Sequence, residues 1–552
     1  MKKGKNKPGE GKLAEMSAPG RHFPLWTAGL LILLLFAAWH FLDVRAGAIQ
    51  SGDRFLLSWY GVLAVVMLAF LGGAGYLFFE KKLALETVFA VCVLGLGALY
   101  LTVLPPLSAP DEVSHFISAY RLSNTLMGQP GTDERGRVYI RKQDAFILDT
   151  DLVPGESLDG LEETVDTEVL GQTLTECTYR KIHGTGLLGT GDQEMETTVK
   201  PPVETTPIAY LPQALGIVLG RLTGLGGLGL LYLGRLGNLL CYTGAAWYAM
   251  KRLPFGKEVL FGVGLLPMTL HLAASFSYDT MVLAMSFLLT AVTLSLAFGA
   301  ADVRKRDVAL LAVIMGILGP CKMVYGVLMG LCLLIPVRKF GGWRKWALSA
   351  LFVAAVYGAA MILVNSRTIA MYAAETESYV GWADEAGYTL GWLIHNPVKT
   401  LRLFYNTVLI KGEYYHLTMM GNWLGNLDPV LDVPYVLVWA MTIVLLLLAM
   451  KKPGGETIYF SGKQKLWTAV VCLGCAGATM LSMLIAWTPA SSGHIMGVQG
   501  RYFLPFLPVF LLILKNNWIA LTKNRDRGLL YFMACANGYA LLRLFSIVSI
   551  RI

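Results

Sequence analysis

The chain alternates long apolar stretches with short connectors rich in Lys and Arg. Stretches near 24–42, 55–79, 84–104, 227–250, 258–277, 280–300, 308–319, 323–336, 346–364, 433–450, 467–487, 502–515 and 528–546 each predict a helix in a bilayer. The connectors carry Lys81-Lys82, Lys251-Arg252, Arg304-Lys305-Arg306, Arg338-Lys339, Arg344-Lys345, Lys451-Lys452, Lys463, Lys465 and the run from Lys515 to Arg527. With all of these inside, the pattern gives an all-α polytopic membrane protein of about thirteen transmembrane helices. The 308–336 stretch must then be a hairpin of two short helices broken at Gly319-Pro320. Interrupted spans of that kind line cavities more often than they face lipid. Segment 207–222 fits a re-entrant helix, an interfacial helix or a full span.

This topology divides the chain. Residues 1–23 form a basic tail with no cleavage site after a short apolar core, expected on the cytoplasmic side. Residues 24–82 supply two N-terminal transmembrane helices, and 83–552 form the main membrane domain. Two large external loops follow, at about 105–205 and 365–432. The first holds eighteen Asp and Glu against eight Lys and Arg, the second seven against four. Long loops translocate largely regardless of charge, so their acidity does not oppose the assignment. Turn residues crowd 128–136 and 183–191, which predicts a small irregular or β-containing unit in the first loop.

Composition agrees with this reading. The 552 residues are 55% hydrophobic and 15% charged, with a mean hydropathy of +0.55. A soluble domain carries about 25% charged residues. The net charge of +9 sits in short connectors and reads as topology, which argues against a nucleic-acid partner. Cys472 and Cys475 form a C-x-x-C inside an apolar stretch, without the second ligand pair a zinc site needs. Only Cys177 lies in an aqueous loop, so no disulfide framework is implied.

The polar residues that break the pattern fall on one side. Asp111, Glu112 and His115 open the first external loop, directly after the apolar run that ends at Leu104. Arg235 and Asn238 lie in the outer half of a span, and Asp279 at an outer turn. Lys322, with Tyr325 close behind, marks the outer tip of the short hairpin. Gln499, Arg501 and Tyr502 stand where another span begins on the outside. An ionisable residue at the edge of a span is a functional candidate. Each also has a structural reading: Asp111 and Asp279 as helix caps, Lys322 and Arg501 as snorkelling anchors, His115 as a hydrogen-bonding residue. Taken together, Arg235, Lys322 and Arg501 suit a phosphate clamp, and a carboxylate beside them suits a general base. A Mg²⁺ or Mn²⁺ ion bridging carboxylate and phosphate is compatible with this set, although two adjacent carboxylates do not demand one.

These blocks resemble a known family. Pro106-x-x-Ala109-Pro-Asp-Glu-x-x-His-Phe116, Ser275-x-Ser-x-Asp279, Lys322-x-x-Tyr325, Gly421-Asn-Trp-Leu-Gly425 with Asp428, and Gly497-Val-Gln-Gly-Arg-Tyr502 are similar to the bacterial membrane family called domain of unknown function 2142. The likeness covers about 90–545. It implies a GT-C-like bundle, and with it a glycosyltransferase of the bacterial cytoplasmic membrane, its active site facing outside. The implied donor is a polyprenyl-phosphate sugar and the implied acceptor an envelope glycan or glycolipid. Carried over to this sequence, Asp111 is the expected base with Glu112 in support. The two helices before residue 83 depart from the usual single preceding span and read as an N-terminal addition. A transporter or flippase of lipid-linked sugars, and a non-catalytic envelope-assembly protein, are the competing readings.

Overall fold

A computed structural model describes residues 25–52, 54–145, 186–198, 202–203, 205–373 and 378–550. Cys177, and much of the turn-rich stretch expected in the first loop, lie outside the described residues. Every apolar stretch singled out above is helical along most of its length.

The chain opens with α1 (Leu25–Ser51), α2 (Phe55–Phe79) and α3 (Leu85–Val103). After the first connecting turn come α4 (Glu112–Leu126) and a two-stranded antiparallel ribbon, β1 (Tyr139–Arg141) with β2 (Met195–Thr197). The ribbon is the β-containing unit that the turn residues predict. The 207–222 segment is a 3₁₀ turn, Pro207–Tyr210, leading into α5 (Leu211–Leu222). It packs on the long α6 (Gly227–Arg252), with Gly216 against the Leu233 carbonyl and Gly237 against the Pro212 carbonyl. A Cβ at either glycine would strike a main-chain carbonyl of the partner helix, so only glycine permits this approach.

The 258–277 stretch is broken into α7 (Lys257–Gly264) and α8 (Pro267–Ala273). Pro267 cannot donate into the preceding turn, so the chain steps sideways there. The carbonyl of Leu265 freed at the break accepts from Asn537 Nδ2 at 2.8 Å, and Asn537 Oδ1 accepts from Tyr100 at 2.9 Å. This buried link joins α3, the break and the last helix, and satisfies groups that would otherwise cost heavily in an apolar interior.

The next helices are α9 (Asp279–Phe298) and α10 (Lys305–Cys321). The hairpin that follows differs from its sequence expectation. Gly319 and Pro320 remain inside the last turn of α10, and the break comes at Lys322. The returning limb, Met323–Leu334, is a 3₁₀ helix instead of an α-helix. Then come α11 (Trp343–Ala373), α12 (Leu390–His395), α13 (Pro397–Met420), α14 (Tyr435–Ala449), α15 (Gly462–Trp487), a 3₁₀ turn Gly500–Phe503, α16 (Leu507–Leu512) and α17 (Asp526–Ile550).

Among the described residues seven helices are long and apolar enough to cross a membrane: α1, α2, α3, α9, α11, α15 and α17. The second large loop holds a surprise. It contains α13, a 24-residue helix whose Tyr415 and Met419 reach the level of Cys472 on α15 and Phe506 beyond it. Its outer face exposes Val398, Leu401, Tyr405 and Leu409 at helical spacing, while Leu403, Thr407 and Thr418 are buried. Lys399, Arg402, Lys411 and Glu413 dilute the hydropathy and hide the helix from an apolar-run reading.

Candidate functional site

The sequence after α3 turns sharply before α4. Leu107 and Asp111 both adopt left-handed backbone (φ 68° and 56°), a conformation that is costly for residues with a Cβ. Asp111 occupies the N-cap position of α4 yet makes no side-chain capping bond. Its carboxylate points outward instead, 64% exposed, and meets Arg501 Nη2 at 3.2 Å. A capping role therefore does not account for Asp111.

Glu112, one residue on, faces the opposite way and is fully buried. Arg235 grips it with two parallel bonds, Nε to Oε1 at 2.8 Å and Nη2 to Oε2 at 2.6 Å. The same carboxylate accepts from the Ala109 and Phe276 backbone N–H groups, both at 2.9 Å. Burial pushes the Glu112 carboxyl up, but Arg235 and these two amides outweigh it and hold it below the ordinary carboxylate range. The remaining Arg235 donors go to the carbonyls of Leu104 (3.0 Å) and Pro105 (2.8 Å). Arg235 thus ties α6 to the turn that presents Asp111, and its donors are spent on protein. Asn238 is similarly engaged, its amide donating to the Ser275 carbonyl (2.7 Å) and Thr280 Oγ1 (2.9 Å).

A second group forms around Asp279, the first residue of α9. No side-chain capping bond is made at this helix start either. Asp279 Oδ1 accepts from Lys322 Nζ at 2.7 Å, and Oδ2 lies 3.5 Å from Arg501 Nε. The break at Lys322 is what brings its ammonium here. The ammonium also stands over the rings of Tyr502 (4.1 Å) and Tyr278 (5.2 Å). Tyr325 donates to the Tyr502 carbonyl at 2.9 Å, fastening the 3₁₀ limb to the 3₁₀ turn that carries Arg501. That turn lies against α13, where the Gly500 N–H donates to Thr418 Oγ1 at 3.0 Å.

Arg501 is the junction of the two carboxylates. Its side chain is only 3% exposed. Its Nε and Nη1 nevertheless have no hydrogen-bond partner among the described residues, and neither does Gln499 Oε1. An Arg buried between two carboxylates with donors left over is a polar group in search of an acceptor.

His115 does not partner Asp111 through its ring. It lies 2.7 Å from the Tyr210 hydroxyl and edge-on to Tyr278 at 5.1 Å. Burial, partly offset by Asp111 and Asp279, pushes its imidazole down to about 4, so it is neutral at ordinary pH. Tyr210 and Tyr278 were not singled out by sequence. Tyr278 lies inside the Ser275–Asp279 block, whereas nothing local to Tyr210 marks it as the partner of a residue 95 positions earlier.

The structure therefore brings Asp111, His115, Asp279, Lys322, Tyr325, Gln499, Arg501 and Tyr502 into one neighbourhood. Glu112, Arg235 and Asn238 form the scaffold behind it. The Gly421–Gly425 block serves elsewhere: a Cβ at Gly421 (φ 94°) would meet Met268 N at 2.5 Å, so it is a packing joint between α13 and α8. Among the described residues no three His, Cys, Asp or Glu side chains converge as a metal site. Asp111 and Asp279 are moreover already paired with cations, so a divalent ion would have to draw most of its ligands from a substrate.

Fold and site together define a helical membrane protein with a charged cluster at one end of its bundle. The chain belongs to the family described as predicted membrane protein (DUF2142), whose model matches residues 94–510. No curated protein and no solved structure matches the chain.

Proposed function

We propose that this protein is a glycosyltransferase of the GT-C kind that moves a sugar from a polyprenyl-phosphate donor to a hydroxyl of an envelope glycan or glycolipid. About thirteen spans, an N-terminus in the bacterial cytoplasm and a site facing outward belong to the same proposal. The observation that carries it is Arg501. Its guanidinium is dry, bridges Asp111 and Asp279, and keeps Nη1 without a hydrogen-bond partner among the described residues, a donor of the kind that grips phosphate oxygens.

In this reading Asp111 accepts the proton of the acceptor hydroxyl. The hydroxyl oxygen bonds to the anomeric carbon, and the bond from that carbon to the phosphate oxygen breaks. The electron pair leaves on the lipid phosphate, where Arg501 and Lys322 offset the developing charge. Exposure of Asp111 suits a group that must meet a bulky acceptor, while Glu112, sealed by Arg235, holds the turn.

The test uses purified protein in nanodiscs with polyprenyl-phosphate sugars. Release of free polyprenyl phosphate by wild type but not by Asp111→Asn supports the reading. Equal release by both removes Asp111 as base, and no release from any donor by wild type removes the transferase.

A further inference from the structure

A cavity lies at the other end of the bundle, among the basic connectors. It has a volume of about 890 Å³. Its walls include Trp26 of α1, Phe79 of α2 and Tyr531 of α17, with Lys82 and Arg525 among the lining residues. Apart from Glu258, every lining residue lies outside the 94–510 stretch that matches the family model. The first two helices and the last one pack on each other around it.

Two features point to a ligand with both an anionic and an apolar part. The Trp26 indole N–H is buried and meets no acceptor among the described residues. The side chains of Lys82 and Arg525 are exposed and make no hydrogen bond or ion pair among the described residues. Arg527 is differently occupied. It donates to the carbonyls of Phe78 (2.6 Å) and Leu83 (3.2 Å), fixing the turn in which Lys82 holds left-handed backbone at φ 49°. Of the two lining carboxylates, Asp526 is neutralised by Lys452, which leaves Glu258 against Lys82, Arg525 and Arg527. The excess is cationic, and the aromatic walls offer contact to acyl chains. A headgroup seated where basic connectors meet the bilayer surface is the natural match.

We infer that this cavity binds the headgroup of an anionic phospholipid from the leaflet at the basic end. Phosphate oxygens meet Lys82 and Arg525, and the upper acyl chains lie along Trp26, Phe79 and Tyr531. This site is independent of the transferase reading.

The experiment is native mass spectrometry of the delipidated full-length protein, titrated with phosphatidylglycerol, phosphatidylcholine or inorganic phosphate. The double variant Lys82→Ala with Arg525→Ala changes only exposed, unbonded side chains and should fold. A control double variant, Lys305→Ala with Arg306→Ala, removes two charges near the same surface away from the cavity. The expected result is retention of phosphatidylglycerol over phosphatidylcholine, reduced at least fivefold by the first pair and unchanged by the control. Equal retention of both lipids, or equal loss in both double variants, would overturn the site. Displacement of phosphatidylglycerol by millimolar inorganic phosphate would overturn the lipid as its occupant in favour of a free anion.

Discussion

Arg501 Nη2 lies 3.2 Å from Asp111 Oδ2, joining residues 390 positions apart. One end of this pair is dry and the other wet: the guanidinium is 3% exposed and the carboxylate 64%. The pair therefore positions Asp111 at the rim more than it stabilises the fold. An ion pair with one solvated partner contributes about 0–1 kcal/mol. Under the proposed transferase reading, Asp111→Asn should leave thermal unfolding nearly unchanged while lowering sugar transfer by roughly 10²–10⁴-fold, the range of a general base. A melting curve displaced by many degrees would make Asp111 structural instead.

The neighbouring carboxylate should behave in the opposite way. Arg235→Ala leaves Glu112 charged, buried and without its cation, a change that costs about 3–5 kcal/mol. Glu112→Gln keeps the shape and part of the hydrogen bonding, so it should cost less. The double variant Glu112→Leu with Arg235→Met removes both charges and should be more stable than Arg235→Ala alone. Unfolding midpoints of wild type, Glu112→Leu, Arg235→Met and this double variant close the cycle, and additive losses would contradict a coupled pair.

Gly500 gives a third expectation. A Cβ at this position would collide with the Tyr415 carbonyl and the Met419 amide of α13. Gly500→Ala should therefore push the Gly500–Phe503 turn off α13 and shift Arg501 with it. Transfer should fall at least tenfold, since small displacements of a positioning group cost about that much or more. Thr418→Val removes the acceptor of the Gly500 N–H and the hydroxyl's bond to the Tyr414 carbonyl without forcing the turn off α13, and should have a milder effect. If the alanine variant kept full transfer, the close approach would carry no weight at the site.

How far the site was legible depends on how local each cause is. Runs such as Phe55–Phe79 declare themselves because hydropathy acts over neighbouring residues. The block around Asp111 and the one around Arg501 were visible because charge interrupts apolar sequence there. The pairing of Arg235 with Glu112 was not visible, since it depends on a contact 123 positions away. The phosphate-clamp expectation for Arg235 rested on its sharing the outer face with Lys322 and Arg501, and a shared face does not say which anion is nearby. The break comes at Lys322 and not at Gly319-Pro320, because proline tolerates a helix's last turn when the packing supports it. α13 stayed hidden because its charged positions lower the average that marks an apolar helix.

The neutral state of His115 makes a prediction about acid. In the folded protein its imidazole takes a proton only near pH 4, whereas an unfolded chain takes one near 6.5. Between those values the unfolded state binds more protons, so stability falls as pH falls from 6.5 to 4. Below 4 both states are protonated and the effect stops growing; above 6.5 neither is, and the contribution is constant. The slope from this one group is at most about 1.4 kcal/mol per pH unit. His115→Asn removes the titrating ring while offering Tyr210 another hydrogen-bond partner. The stability difference between wild type and this variant should be flat above pH 6.5 and should change steadily in favour of the variant as pH falls towards 4. Other groups that titrate in this window are common to both proteins and cancel in the difference. Unfolding followed at half-unit steps from pH 7.5 to 4 measures it, and parallel curves throughout would mean that the ring is not held neutral by burial.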